Sequence, residues 1–355
     1  MKFGLNFFPS FRTRDYSTAE YFAQCLRLAE RADRLGFNSV KAVEHYFYDY
    51  GGHSPNPVVF LAAVAARTQR IRPITGAVIP AFNNPVKLAA ELAVLDNLSN
   101  GRLDVGFGRA FIPKEFDVFG VSMDDSRARF EEGIDIVRRL WTEDLVSYDG
   151  KFHRFRDVHL EPRPVQTPHP PIWTAAIQSI DSFIWAGRQG YNVMIVPYVG
   201  GIDKVRGMVR AYRQAWRDAG HPPGREQIQT SLHCYIAETR AEALEGVRPR
   251  VARYIDVFKE AVGSWAGHQA SQYAGYAKMV DSIAQTTLES MLEGHQALIG
   301  TPDDVVEQLA YQVDAFGEIE PSMQINFGGI GEAEATRTLA LFAERVMPRF
   351  SASRR

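Results

Sequence analysis

A chain of 355 residues that is 45% apolar has room for one large domain around a substantial core. Its 40 lysines and arginines against 42 aspartates and glutamates give a formal charge of −2, which removes the electrostatic case for nucleic acid or an anionic membrane surface. Cys25 and Cys234 stand too far apart in sequence to suggest a disulfide framework or a cysteine zinc site, no metal is expected, and no apolar run reaches membrane-spanning length.

Strand and helix patterns alternate from the start. MKFGLNFFPS lacks the layout of a signal peptide, so a soluble cytoplasmic enzyme is expected, and Lys2–Phe8 within it is a short apolar strand. Ser17-Thr18-Ala19-Glu20 is a capping box, and Phe22, Cys25, Leu26, Ala29 and Ala32 follow at helical spacing until Gly36 ends the helix. Ser39–Val43 is the second strand, and a helix from about Pro57 leads to the third, Ile74–Ile79. Leu88, Leu92, Leu95 and Leu98 give the next helix an apolar stripe, which Asn100-Gly101 stops before the strand Leu103–Phe107. After the helix Arg127–Trp141, Asp149-Gly150 between two β-like runs marks a hairpin insertion over about 144–160. Alternation resumes with strand Ile172–Ala176, helix Ser182–Gln189, strand Val193–Val196, helix Lys204–Ala219 and strand Ile228–Ala237. The last strand is expected at Met323–Phe327 and the closing helix at Glu332–Val346.

Eight strands with helices between most of them predict an α/β fold, a closed (β/α)8 TIM barrel with insertions. No Gly-x-Gly-x-x-Gly turn follows the first strand, which lowers the case for an open Rossmann sheet. Residues 1–350 are one domain and 351–355 a tail. Val262–Gln296 breaks the rhythm. It is rich in Gly, Ala, Ser, Gln and His, and is either a mobile lid or an extra helical insertion.

Ligands of such barrels bind at the carboxyl ends of the strands, so residues there carry the chemistry. KAVEHYF, Lys41–Phe47, puts Glu44 and His45 at the second strand's end, and a histidine so placed is a candidate acid or base. Gly76 and Ala77 end the third strand with small residues, which by themselves mark only a strand end. Arg109, in GFGRAFIPKEFDVFG after the fourth strand, and Arg127, at a helix start, offer paired donors to a phosphate. Gln178, Ser179 and Ser182 open the helix after the fifth strand and complete such a cradle, although plain N-capping by Ser179 or Asp181 needs no ligand. Aromatic residues near strand ends, Phe7, Phe8, Phe11, Tyr46, Phe47, Phe82, Phe107 and Phe111, suit an apolar pocket, though some must be core. Of these, Phe7, Tyr46, Phe82 and Phe111 are the candidate substrate contacts.

The wording of NNPVKLAAELAVLDNLSNGRLDVGFGR, Asn83–Arg109, resembles the bacterial luciferase family of flavin-dependent monooxygenases. KAVEHYF, the stretch Pro170–Gly190, LIGTPDDVVEQL and INFGGIGEAEATRTLALFAERVMPRF resemble it too, so the likeness runs from Met1 to Phe350. It implies a reaction of reduced FMN with dioxygen, through a flavin hydroperoxide, that puts one oxygen atom into a small organic substrate. His45 would be catalytic, Arg109, Arg127, Gln178, Ser179 and Ser182 would hold the FMN phosphate, and Ala110 would be a further cofactor contact. Gly76 and Ala77 would form a non-proline cis peptide against the ring. The luciferase catalytic subunit has a second histidine where this chain has Tyr46, and the family's reactive cysteine position is Gly108 here, so neither of those properties transfers. No stretch suggests a flavin-reducing domain, which implies a separate flavin reductase, and a homodimer is the expected assembly. The alternatives are a deazaflavin-dependent oxidoreductase in the same barrel, a non-catalytic flavin-binding subunit, and an unrelated barrel enzyme such as an aldolase or hydrolase.

Overall fold

Eight parallel strands close into a barrel in the computed structural model, which describes residues 1–15, 17–177, 179–265, 271–273 and 275–351. Strand β1 (Gly4–Phe7) is followed by α1 (Thr18–Leu35), β2 (Ser39–Ala42), α2 (Pro57–Arg67), β3 (Arg72–Val78), α3 (Pro85–Leu98) and β4 (Asp104–Phe107). Helices α4 (Pro113–Phe119) and α5 (Ser126–Thr142) come next, then an antiparallel hairpin of β5 (Val146–Asp149) and β6 (Arg154–Val158). The barrel resumes with β7 (Ile172–Ala175), α6 (Ile180–Gln189), β8 (Asn192–Ile195), α7 (Ile202–Asp218) and β9 (Ile228–Ile236). Helices α8 (Arg240–Val262), α9 (Tyr276–Ala284) and α10 (Leu288–Glu293) lead to β10 (Leu298–Gly300), α11 (Pro302–Phe316), β11 (Glu320–Gln324) and α12 (Glu332–Leu341). Around the ring the order is β1, β2, β3, β4, β7, β8, β9, β11 and back to β1. No helix among the described residues is long and apolar enough to cross a membrane.

Local chemistry explains the element ends. The Ser17 hydroxyl accepts the Glu20 amide at 3.2 Å and the Glu20 carboxylate accepts the Ser17 amide at 2.7 Å, the reciprocal capping that the sequence predicts. Asn56 and Asn84 cap α2 and α3, each directly before a proline. Asn100 and Gly101 take positive φ and turn the chain from α3 toward β4.

Several boundaries differ from the sequence reading. The last barrel strand is Glu320–Gln324, three residues before the expected Met323–Phe327. Its residues Glu320, Ser322 and Gln324 are all buried, so an apolar-alternation rule does not see them. Polar groups fill the lower barrel: Glu320 accepts from Asn38 at 2.8 Å and from Gln229 at 3.2 Å, and Asp104 accepts from Arg72 at 2.6 Å. β10 is a ninth strand, hydrogen-bonded to the end of β9, in a stretch too short to register as a period. The expected loop after β4 contains the helix α4. Leu98, predicted as part of the buried stripe, is 57% exposed, because it lies in the last turn of α3.

Candidate active site

The carboxyl ends of the strands surround one cavity of about 760 Å³, its open mouth included. β2 and its loop bring Lys41, Glu44 and His45, β3 brings Gly76 and Ala77, and β4 brings Gly108, Arg109, Ala110 and Phe111. Its floor carries Asn6, Ser231 and Gln324 from β1, β9 and β11. Among the described residues no cluster of His, Cys, Asp and Glu is placed to hold a metal ion.

His45 is held on two sides. Its Nδ1 lies 3.1 Å from Glu115 Oε1, and the same carboxylate oxygen accepts the Tyr46 amide at 2.9 Å. A carboxylate there fixes the proton on Nδ1 and leaves Nε2 as the imidazole's second working atom. The loop after β2 folds back over the ring. Gly51, at φ 79°, leaves room for it, since a Cβ there would stand 2.7 Å from the His45 side chain. Phe8, Tyr50 and Phe111 surround the imidazole at centroid distances of 5.6–5.8 Å.

Glu44 has a different task. Its carboxylate accepts from the Tyr46 hydroxyl at 2.6 Å, the Ile79 amide at 2.9 Å and the Asn83 amide at 3.0 Å. Burial pushes this carboxyl up to about 7, against the pull of those three donors. It ties the chain after β3 to the end of β2, directly beside Gly76–Ala77.

The Gly76–Ala77 bond is a non-proline cis peptide, as the resemblance implied. Gly76, Ala77, Gly108 and Ala175 make a wall of small residues, with Gly108 so close that an added Cβ would sit 3.0 Å from that of Ala77. On the floor, the amide oxygens of Asn6 and Gln324 are buried without a hydrogen-bond partner among the described residues. A thin wall beside unsatisfied amide ends fits a flat heterocycle with donors and acceptors on its edge.

The expected phosphate residues come together beside this wall. Arg109 Nη2 donates to Ser126 Oγ at 3.2 Å, and Arg127 Nη2 donates to Ser182 Oγ at 3.4 Å. Ser126 and Arg127 are adjacent, so the loop after β4 and the first turns of α5 and α6 are linked by two guanidinium groups and two hydroxyls. Ser179 precedes α6 and makes no side-chain capping bond among the described residues. Ala110 lines the cavity, and its carbonyl accepts from Tyr273. Gln178 lies outside the described residues. Two guanidinium groups, serine hydroxyls and the amides of two helix starts fit a phosphate.

The aromatic expectations divide. Phe8 and Phe111 line the cavity. Phe7 does not: its ring packs edge-on against Phe60 of α2 at 5.9 Å, in the layer between barrel and helices. Alternation along a strand sends neighbouring residues to opposite faces, so Phe7 and Phe8 were never equivalent. Tyr46 and Phe82 sit in an aromatic group around Phe119 near the mouth, outside the cavity lining.

Sequence reasoning passed over Glu115, Lys41, Tyr50, Tyr198, Tyr254 and Tyr273. The Arg109 guanidinium lies 4.8 Å from the centre of the Tyr273 ring. Tyr198 and Tyr254 share a hydroxyl contact of 3.0 Å, and Tyr254 reaches Tyr50 at 3.4 Å. Lys41 is the one charged residue of the strand Ser39–Ala42, which was the available signal.

A family model described as luciferase-like monooxygenase matches residues 1–318. The oxygenase component of a flavin-dependent trigonelline monooxygenase from Acinetobacter baylyi is 30% identical over 100% of this chain and 97% of its own length. The crystal structure of monooxygenase RslO1 from Streptomyces bottropensis is 44% identical, with a TM-score of 0.88 over 99% of this chain and 100% of that one. Below 25% identity the likeness is one of fold alone. There the chain matches an FMN complex of the oxygenating constituent of 3,6-diketocamphane monooxygenase from Pseudomonas putida (TM-score 0.81, 23% identity, 98% of each chain). It also matches a coenzyme F420-dependent tetrahydromethanopterin reductase from Methanopyrus kandleri (0.72, 20%, 98% and 99%).

Proposed function

The chain belongs to the luciferase-like monooxygenase family, and from that premise we propose that it is the FMN-dependent oxygenase of a two-component system. It takes reduced FMN from a separate flavin reductase and puts one atom of dioxygen into a neutral aromatic substrate. The observation that supports this is a cavity lined by Gly76, Ala77, His45 and Arg109, with Glu115 bonded to His45, Ser126 bonded to Arg109, and the Arg127–Ser182 pair at the next helix starts. Bound flavin supplies the oxygen chemistry. Arg109, Arg127, Ser179 and Ser182 bind its phosphate, Gly76 and Ala77 seat the ring, and His45 moves a proton at Nε2 while Glu115 keeps the imidazole oriented. A partnered His45 also speaks against a non-catalytic flavin-binding subunit.

Tyr273 over Arg109 favours a compact terminal phosphate, as in FMN, over a deazaflavin whose chain continues past it. Anaerobic titration with reduced FMN and with reduced deazaflavin, followed by oxygen, tests the choice. Reduced FMN is expected to bind more tightly, and equal or tighter binding of the deazaflavin overturns the cofactor reading. In the same titration Arg109→Ala should lose about tenfold to a hundredfold in FMN affinity, the worth of a charge-assisted contact of ~1.5–3 kcal/mol.

The substrate class comes from the chamber beyond His45. Tyr50, Phe111, Tyr198, Tyr254, Phe258 and Tyr276 line a space of about 400 Å³, its open side included, that shares Tyr50, Phe111 and Tyr198 with the main cavity. Its described lining has no charged side chain, so its polar features are tyrosine hydroxyls. Such walls suit a flat aromatic molecule bearing a ketone or hydroxyl, not a charged one. Tyr254→Phe should weaken binding of 1-tetralone by about two- to tenfold, one neutral hydrogen bond of ~0.5–1.5 kcal/mol. Naphthalene binding should not change. Loss of both ligands alike would remove the hydroxyl from recognition.

Exposed Val59 on α2, with Val94 and Leu98 on α3, supports self-association as a homodimer, which sedimentation equilibrium can decide.

A further inference from the structure

Lys41 is 2% exposed in the barrel interior, where lysine is rarely found without a partner charge. Its Nζ donates to Ser231 Oγ at 2.8 Å, a neutral acceptor. Among the described residues no carboxylate lies within the 4 Å of an ion pair. The nearby acids are committed elsewhere: Glu320 to Asn38, Ser39 and Gln229, Glu44 to Tyr46, Ile79 and Asn83, Glu115 to His45, and Asp104 to Arg72. The lysine stem runs against Gly76, where any Cβ would collide with its Cγ at 2.0 Å. Lys41 therefore lies directly against the peptide that forms the cavity's thin wall, and it lines the cavity floor with Asn6, Ser231 and Gln324.

We infer that Lys41 is the counter-charge for an anionic ring seated on Gly76–Ala77, and that this ring is the reduced flavin. The inference rests on the cofactor reading above and adds an electrostatic role that no phosphate-binding residue supplies. A cation buried with no carboxylate in ion-pair contact, only the charge of Glu320 acting on it from farther off, is costly in the empty protein and gains once an anion enters the same low-dielectric cavity. Burial pulls the ammonium down to about 7, so an arriving negative charge also favours its protonation. Lys41 is thereby expected to discriminate between redox states, because the oxidised ring is neutral and the reduced ring can carry a negative charge.

The test compares the parent with Lys41→Met, which keeps the volume and removes the charge, and with Lys41→Gln as a second variant should methionine disturb folding. Affinities for oxidised and for reduced FMN are measured anaerobically, together with the midpoint potential of the bound flavin. Oxidised FMN should bind all three proteins within about twofold. Reduced FMN should bind the variants at least about tenfold more weakly, which lowers the potential by about 30 mV for a two-electron couple. Unchanged preference for the reduced form, with flavin bound, overturns the role of Lys41 and leaves the cofactor reading standing. Failure of the parent itself to bind flavin in either state overturns the cofactor reading and this inference with it.

Discussion

His45→Ala is expected to turn over ~100- to 10,000-fold more slowly than the parent while still folding and still binding flavin. Among the described residues the imidazole's polar partner is Glu115 and not Arg109, Ser126, Arg127 or Ser182, so affinity for FMN should stay near the parental value. It is also not a packing centre: its side chain is 12% exposed at the cavity wall, and it meets Phe8, Tyr50 and Phe111 by ring edges and tilted faces. What the substitution removes is a proton carrier whose orientation is fixed by Glu115. Stopped-flow mixing of the reduced-flavin complex with oxygen, and then with an accepted aromatic substrate, separates oxygen activation from oxygen transfer. Near-parental product formation by a folded, flavin-loaded His45→Ala would make this histidine a bystander and require another acid or base.

The sequence made part of this site visible and left part of it hidden, for physical reasons. His45, Arg109 and Arg127 were legible as candidates because they lie just after strands or at a helix start, and because the motifs around them resemble a known family. Ser179 and Ser182 were legible for the same reason. Glu115 was not. It sits 70 residues from His45, in a helix that the sequence reading took as loop, and nothing local links the two. Lys41 and the polar residues of β9 and β11 were hidden because a strand lining a barrel need not be apolar inside. Apolar alternation reads a core, and this interior is a cavity floor lined by polar side chains. The same effect displaced the predicted last strand to Met323–Phe327, away from the buried polar run Glu320–Gln324.

The stretch Val262–Gln296 shows a different limit. Its composition suggested either a lid or an inert insertion. In its described part Trp265, Tyr273, Val280 and Ile283 are buried, and Tyr273 donates to Ala110 beside Arg109. Glycine and polar residues dominate the count, but a few large side chains decide where the segment packs. It packs Tyr273 against Ala110 and Arg109 and, through Tyr276 and Ile283, lines the aromatic chamber. A deletion would strip both, so single substitutions are the informative changes here.

Without flavin, Lys41→Met should melt higher than the parent at pH 7, by on the order of a few kcal/mol. Burial lowers the Lys41 pKa from its ordinary 10.5 to about 7, with the charge of Glu320 opposing that shift. Between those values the unfolded chain holds a proton that the folded chain releases. Stability of the parent therefore rises as pH climbs from about 7 toward 10.5, and falls as pH drops back through that window. Methionine has no such dependence. The advantage of the variant is accordingly greatest at and below pH 7 and shrinks toward pH 10. One opposing term is local: Ser231 loses the donor that faces it, which costs about 1–3 kcal/mol if no water replaces it. Reduced FMN should narrow the gap at pH 7, because it binds the folded parent more tightly than the variant and stabilises it by mass action. Thermal melts from pH 6 to 10, with and without reduced FMN under anaerobic conditions, give all of these comparisons. A variant that melts below the parent at pH 7, or a difference that does not change with pH, would mean that the lysine charge is already compensated inside the protein. An anion in the cavity would then have no charge left to meet.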